Sequence, residues 1–190
     1  MSTMREHIIE ITSMLLEAQG YHATGLNQIL AESGAPKGSL YYYFPQGKEE
    51  LTSAAVERSG RITSERIRSV LAETEDAVEA IQSFVQAIAY HVEASNFSAG
   101  GPLAIVAMET VNSSERLNLA CREAYGWLQN AFQERLVKSG QSDARATELA
   151  TFIISAIEGG IILSRVRHSG DPLRLVAKEL GIFLNAAREG

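Results

Sequence analysis

The chain has 190 residues and a mass of 20.6 kDa, with 45% hydrophobic and 21% charged residues, which excludes wholesale disorder and allows one or two small domains with a real core. Its 17 Lys and Arg against 23 Asp and Glu give a formal net charge of −6, which excludes a strongly basic nucleic-acid binder. The one cysteine, Cys121, can form no internal disulfide and fits a reducing cytoplasm, and no apolar run approaches the roughly 20 residues of a membrane span, so no membrane partner is expected.

The predicted elements are all helices. The start carries Arg5, Glu6 and Glu10 inside its apolar stretch, so it reads as a helix over about 4–19 and not as a secretory signal. Ile8, Ile11, Leu15 and Ala18 share one face of that helix, Ser2 or Thr3 can cap it, and Gly20 ends it. Thr24 is expected to cap a short second helix carrying Leu26, Ile29 and Leu30, which Ser33-Gly34 stops. Pro36 suits the first position of a third, running to Phe44. Beyond Pro45 the pattern lengthens. Residues 48–70 and 76–93 read as helices, the second capped by Asp76 with Ile81, Phe84, Val85 and Ile88 on its apolar side. Ser95 to Pro102 is a Ser- and Gly-rich turn, and Pro102 opens a short helix to about Thr110. Residues 114–139 and 143–168 follow as long helices, and Asp171-Pro172 opens the last, to about Arg188. Sustained period-2 alternation is missing throughout. The expected fold class is therefore all-α, with about nine helices. Three short helices before longer ones divide the chain into a head, 1–47, and a helical body, 48–190.

The head carries a DNA-binding pattern. Two short helices joined by Ser33-Gly34-Ala35 match a helix-turn-helix, and a second helix about 13 Å long suits a major groove. At about 100° per residue, Leu40 and Phe44 fall together and face the core, while Lys37, Gly38, Tyr41 and Tyr42 fall on the opposite arc, flanked by Ser39 and Tyr43. Lys37 and Gly38 lie in the first turn, where free N–H groups favour phosphate. Gly38 costs helix stability, which is tolerable where another surface must approach closely. Thr24 can add a hydroxyl and an N–H to phosphate, and Lys48 can hold the neighbouring backbone. Hydroxyls and amides make many protein–DNA contacts, which answers part of the objection that residues 1–60 hold only Arg5, Lys37, Lys48 and Arg58 against seven acids.

The run GYHATGLNQILAESGAPKGSLYYYFPQGKEEL, from Gly20 to Leu51, resembles the N-terminal domain of TetR/AcrR-type transcriptional repressors. The resemblance rests on Gly20-Tyr21, Thr24, Ile29, Ser33-Gly34, Lys37-Gly38-Ser39-Leu40-Tyr41, Phe44 and Lys48-Glu49-Glu50-Leu51. It implies that Thr24, Lys37, Gly38, Ser39, Tyr41, Tyr42, Tyr43 and Lys48 face DNA. Gly25-Leu26-Asn27-Gln28 replaces the usual polar-basic start of the second helix, and Gln46-Gly47 adds a residue before Lys48. Both departures resemble the LmrA/YxaF subgroup. Gly101-Pro102-Leu103 through Glu109, and Ser155 through Gly160, extend the likeness into the body.

Residues 149–163, LATFIISAIEGGIIL, are apolar on nearly every side, as in a helix buried on more than one face. Gly159-Gly160 admits another backbone, and Leu173, Val176, Leu180 and Leu184 repeat along the last helix. The resemblance implies a four-helix homodimer bundle from the last two helices, with Ile153, Ile157, Gly159, Gly160, Leu173 and Leu180 expected at the interface. Dimeric heads can meet successive major grooves about 34–36 Å apart. The middle of the body is the expected chamber for a small-molecule inducer, lined by Phe84, Ile88, Phe97, Ile105, Met108 and Trp127 beside Phe132. Glu158 is the expected polar contact, with Asn112, Tyr125 and Gln129 as other candidates.

No enzyme is expected: His7, His22, His91 and His168 are scattered, and no HExxH, P-loop or GxGxxG occurs. Neither a metal nor another cofactor is implied. The expectation is a cytoplasmic, ligand-responsive homodimer that leaves an inverted-repeat DNA operator when a small apolar or aromatic inducer binds. The alternative is a helical small-molecule-binding protein whose head no longer reads DNA.

Overall fold

The structure is a computed structural model that describes residues 3–187, all of whose regular elements are helices. In chain order they are α1 (Met4–Ala23), α2 (Leu26–Ser33), α3 (Lys37–Tyr43), α4 (Lys48–Leu71), α5 (Ala77–Ala94), α6 (Pro102–Thr110), α7 (Glu115–Lys138), α8 (Asp143–Arg167) and α9 (Asp171–Ala186). The caps follow local chemistry. Thr3 accepts from the Glu6 N–H while Glu6 reaches back to the Thr3 N–H, a reciprocal capping box. Ser2, the other candidate cap, and Arg188, the expected end of α9, lie outside the described residues. Asp76 accepts from Val78 and Glu79 at the start of α5, and Ser142 caps α8. Gly47, at φ 76, closes the turn before α4.

One cap differs from expectation. Helical geometry breaks at Gly20 (φ 80, ψ 179), but a last turn continues to Ala23. Thr24 therefore closes α1 and does not begin α2. Its hydroxyl donates to the Gly20 carbonyl at 2.7 Å and its N–H to Tyr21 at 3.2 Å. Gly25 takes the N-cap position of α2, with no side-chain cap.

The chain packs as two compact units. One contains the chain up to Ile62 together with Gly101–Tyr125, and the other contains Thr63–Gly100 and everything from Gly126 on. The packing division thus differs from a cut after residue 47. Helix α1 is long enough to bury Ile8, Ile9, Leu15 and Leu16, more surface than α2 and α3 can cover, and it packs on α6 as well as on them. In the second unit α5 lies against α8 and α9, and α8 against α9. Its core includes Phe84 and Phe132, edge to face at 5.8 Å, with Ile81, Leu149, Ile153 and Leu173.

Helix α8 bears on the membrane expectation. By length and composition it is apolar enough to cross a membrane, although no long unbroken run of large apolar residues marks it. Five isoleucines between Ala146 and Leu163, with leucine and phenylalanine beside them, raise its mean hydropathy, and one of its faces is covered by α5 and α9.

Candidate nucleic-acid interface

Gly34, in the left-handed conformation at φ 63, ends α2 and turns the chain towards α3. Ser33 Oγ accepts the Ala35 N–H at 3.3 Å, and the Pro36 carbonyl accepts the Ser39 and Leu40 N–H groups at 2.9 and 3.4 Å. Leu40 and Phe44 are fully buried and anchor one side of α3. The other side is open. Tyr42 is 79% exposed and Tyr41 46%, Lys37 and Gly38 are exposed, and Ser39 and Tyr43 are half-buried. The Tyr42 and Tyr43 rings meet edge to face at 5.1 Å, which limits their freedom before any partner arrives. A Cβ added at Gly38 would meet nothing within 4 Å, so no neighbour inside the protein requires glycine there.

Thr24 departs from the sequence expectation, and Lys48 is partly engaged inside the chain. Thr24 is buried and both its hydroxyl and N–H are already engaged, so it offers neither to a phosphate. Lys48 is half-buried, with Nζ 4.1 Å from the centre of the Tyr21 ring. Burial lowers the pKa of this ammonium, and the charge of Glu109 partly opposes that shift. Burial, with the Glu49 charge, pushes the Tyr21 phenol up. Sequence reading gave no role to Arg5, whose guanidinium lies 5.4 Å from the centre of the Phe44 ring. It sets a cation beside the C-terminal end of α3, and no spacing rule marked it because the pairing joins the start of α1 to a distant residue.

The expected inducer residues divide between the two units. Phe84, Ile88, Phe97, Trp127 and Glu158 belong to the second, and Ile105 and Met108 to the first. Met108 is 76% exposed, so it lines no enclosed space. Ile105 is half-buried with its Cγ2 against Gly20. Phe84 is core, whereas Ile88, Phe97, Trp127 and Glu158 are half-buried. Phe97 adopts φ 61, its carbonyl accepts from Arg165 Nε at 3.2 Å, and its ring meets His168 edge to face at 5.2 Å. Gln129 is committed to Thr151 Oγ1 at 2.8 Å. A cleft of about 460 Å³ in the second unit touches none of the expected inducer residues; it is bounded by Arg68, Leu71, Glu134, Arg135 and Lys138.

The expected dimer residues are corrected most. Ile153, Leu173 and Leu180 are 0–2% exposed within the single chain, where α8 and α9 pack on each other and on α5. Gly160 serves the same internal contact, since a Cβ there would lie 2.9 Å from Leu173 Cδ2. Ile157 is also buried. Gly159, one residue away, faces open space, and Phe152, Ile162, Leu163, Val166, Ile182 and Phe183 are 40–75% exposed. The Phe152 and Phe183 rings touch at 4.8 Å, joining the outer faces of α8 and α9.

Comparison with known proteins settles the family. Residues 8–55 match the bacterial regulatory proteins of the tetR family, and residues 77–190 match the C-terminal domain of LmrA/YxaF-like transcriptional regulators. The chain belongs to the TetR family. The HTH-type transcriptional regulator YxaF of Bacillus subtilis is 42% identical over 180 residues, 95% of this chain and 94% of that relative. LmrA of the same organism is 40% identical over 169 residues, 89% of this chain and 90% of that one. A TetR transcriptional regulator from Chloroflexus aurantiacus, solved by crystallography, is 25% identical with a TM-score of 0.79, covering 96% of this chain and 94% of its own. The protein is thus an HTH-type transcriptional regulator, of a family that is not enzymatic. Among the described residues of this TetR-family chain, no cluster of His, Cys, Asp or Glu could hold a metal ion.

Proposed function

We propose that this regulator is a cytoplasmic homodimer that represses transcription from an inverted-repeat operator and leaves it when a small apolar or aromatic inducer binds the body. The observation that carries the DNA-reading part is the outward face of α3, where Tyr42 is 79% exposed beside Lys37, Ser39, Tyr41, Tyr43 and a glycine with no internal reason to be one. Gly38 lets a sugar–phosphate or base edge approach the helix, the tyrosines supply hydroxyls and apolar rings for base edges, and Lys37 supplies a cation at a helix start. Lys48 and Arg5 add charge at the margins of this face. In functional terms residues 1–47 read DNA, and residues 48–190 bind the inducer and the second subunit.

The outer face of α8 and α9, Phe152, Gly159, Leu163, Val166, Ile182 and Phe183, is the dimer surface in this reading. An exposed apolar face of two long helices suits a four-helix bundle. The half-buried Ile88, Phe97, Trp127 and Glu158 are the inducer contacts the chain offers. The inducer can shift operator affinity only by binding one body conformation better than the other, and a difference of about 3 kcal/mol lowers it roughly a hundredfold. Helix α4, which begins at Lys48 directly after the head, is the mechanical link in this proposal.

The test is gel retardation on DNA flanking the protein's own coding region, and on DNA selected from random sequence, in excess competitor. A discrete shift is expected. Tyr42→Ala and Lys37→Ala should each weaken it by about tenfold or more, the scale of one lost specific contact, while the protein stays dimeric. Wild-type affinity in both variants would remove α3 as the recognition helix.

A further inference from the structure

We propose that Glu109, on α6, is a positioning residue for the DNA-reading head, an inference that rests on the operator-binding reading above. At Gly20 the backbone of α1 leaves helical geometry, and beyond the break the His22 N–H finds its acceptor on α6, in Glu109. Its Oε2 accepts the His22 N–H at 2.9 Å, and a ring nitrogen of His22 lies 3.3 Å from the Glu109 carbonyl. The carboxylate fills the space that a side chain at position 20 would occupy. A Cβ there would come within 3.0 Å of Glu109 Cδ and of Ile105 Cγ2, and φ 80 penalises any other residue independently.

A second contact repeats the arrangement in reverse. The Gly101 N–H, at the start of α6, donates to Glu17 Oε1 of α1 at 2.7 Å. Each helix therefore gives a carboxylate to a main-chain amide at one end of the other. Hydrogen bonds with an ionised acceptor are shorter and stronger than neutral ones. One such contact would leave a pivot. Two, separated along both helices, fix sliding and rotation of α6 against α1.

The Glu109 end also lies where the head is aimed. His22 is two residues from Thr24, whose buried hydroxyl holds the Gly20 carbonyl, and α2 begins at Leu26. The neighbouring Tyr21 ring carries the Lys48 ammonium at the start of α4, within the field of the Glu109 carboxylate. One side chain on α6 thus holds the end of α1 and acts through its charge on the start of α4, the two helices that flank α2 and α3 in sequence.

The test uses the full-length protein and DNA selected from random sequence by the wild type. Glu109→Ala should lower affinity for that DNA by about tenfold or more, at a temperature where unfolding curves show the variant fully folded. Glu109→Gln, which still accepts the His22 N–H, should stay within about threefold of wild type. Wild-type affinity in Glu109→Ala, or equal losses in both variants, would overturn the proposal. Amide exchange on the unmodified protein gives a second route if the alanine variant does not fold. His22 should exchange slowly, at a rate matching the core of α1, and free exchange at His22 would overturn the proposal. Failure of the wild type to retain any selected DNA would instead defeat the operator reading, which separates the two.

Discussion

Gly159 and Gly160 are adjacent on α8, and replacing each by alanine should raise the subunit's stability at the first and not at the second. In a helix interior the change is worth about 1 kcal/mol in favour of alanine, from propensity alone. At Gly159 the new methyl meets nothing within 4 Å, so that gain is kept within the subunit. At Gly160 the methyl would sit 2.9 Å from Leu173 Cδ2 and 3.2 Å from Val176 Cγ2, against a comfortable carbon–carbon separation of about 3.5–4.0 Å. Leu173 is fully buried, so its side chain or α9 must shift to admit the methyl. Overpacking of this kind costs about 1–3 kcal/mol, which cancels or exceeds the propensity gain. Gly160→Ala should leave the thermal midpoint unchanged or lower it by a few degrees, at about 2–4 °C per kcal/mol for a chain of this size. Gly159→Ala should raise the subunit's intrinsic stability yet weaken self-association, because its methyl enters the proposed dimer surface. Calorimetry at two protein concentrations, with sedimentation equilibrium, separates these effects, since dimer unfolding depends on concentration. A rise in the Gly160→Ala midpoint matching the full propensity gain would refute the inner and outer assignment of α8.

Phe152→Asp and Val166→Asp, each placing a charge on the exposed side of α8, should yield folded monomers at concentrations where the wild type is dimeric; sedimentation velocity reads this, and persistent dimers would move the interface elsewhere. Burial pushes the Cys121 thiol up to about 11, so in the native protein it should be inert to Ellman's reagent at pH 8 and react fully once the chain is unfolded. Glu134 accepts from Arg68 at 2.9 and 3.1 Å, and that hydrogen bond, ahead of burial, which opposes it, holds the carboxyl below its ordinary value. A depressed carboxyl stabilises the fold above its unfolded pKa, and this contribution is lost as pH falls through the lower folded value. Glu134→Gln should therefore flatten the acid limb of a stability–pH curve measured by denaturant titration. Because both side chains are substantially exposed, its cost near neutrality should stay below about 1 kcal/mol.

The helices, several of their caps and the outward face of α3 were legible in the chain because their causes are local. Gly34 and Pro36 bracket a short turn, Asp76 marks a helix start, and α3 is so short that burying Leu40 and Phe44 leaves only one way to turn Lys37, Tyr41 and Tyr42. Thr24 shows where local reading stops. Its residue type suits a cap, but the break at Gly20 and its spacing from the preceding turn make it the cap of α1 and not of α2. The partnership of Glu109 with His22 joins residues 87 apart and left no periodic trace.

Sequence by itself determined that α8 is a long apolar helix, because composition and spacing decide that much. It could not decide which side of that helix is core. Periodicity assigns a buried face only when the opposite face is polar, and α8 is apolar around most of its circumference. Tertiary packing made the choice: α9 and α5 cover Ile153, Ile157 and Gly160, while Phe152, Gly159 and Val166 remain outside. Adjacent residues on a helix point about 100° apart, so two neighbouring glycines with the same propensity have opposite environments.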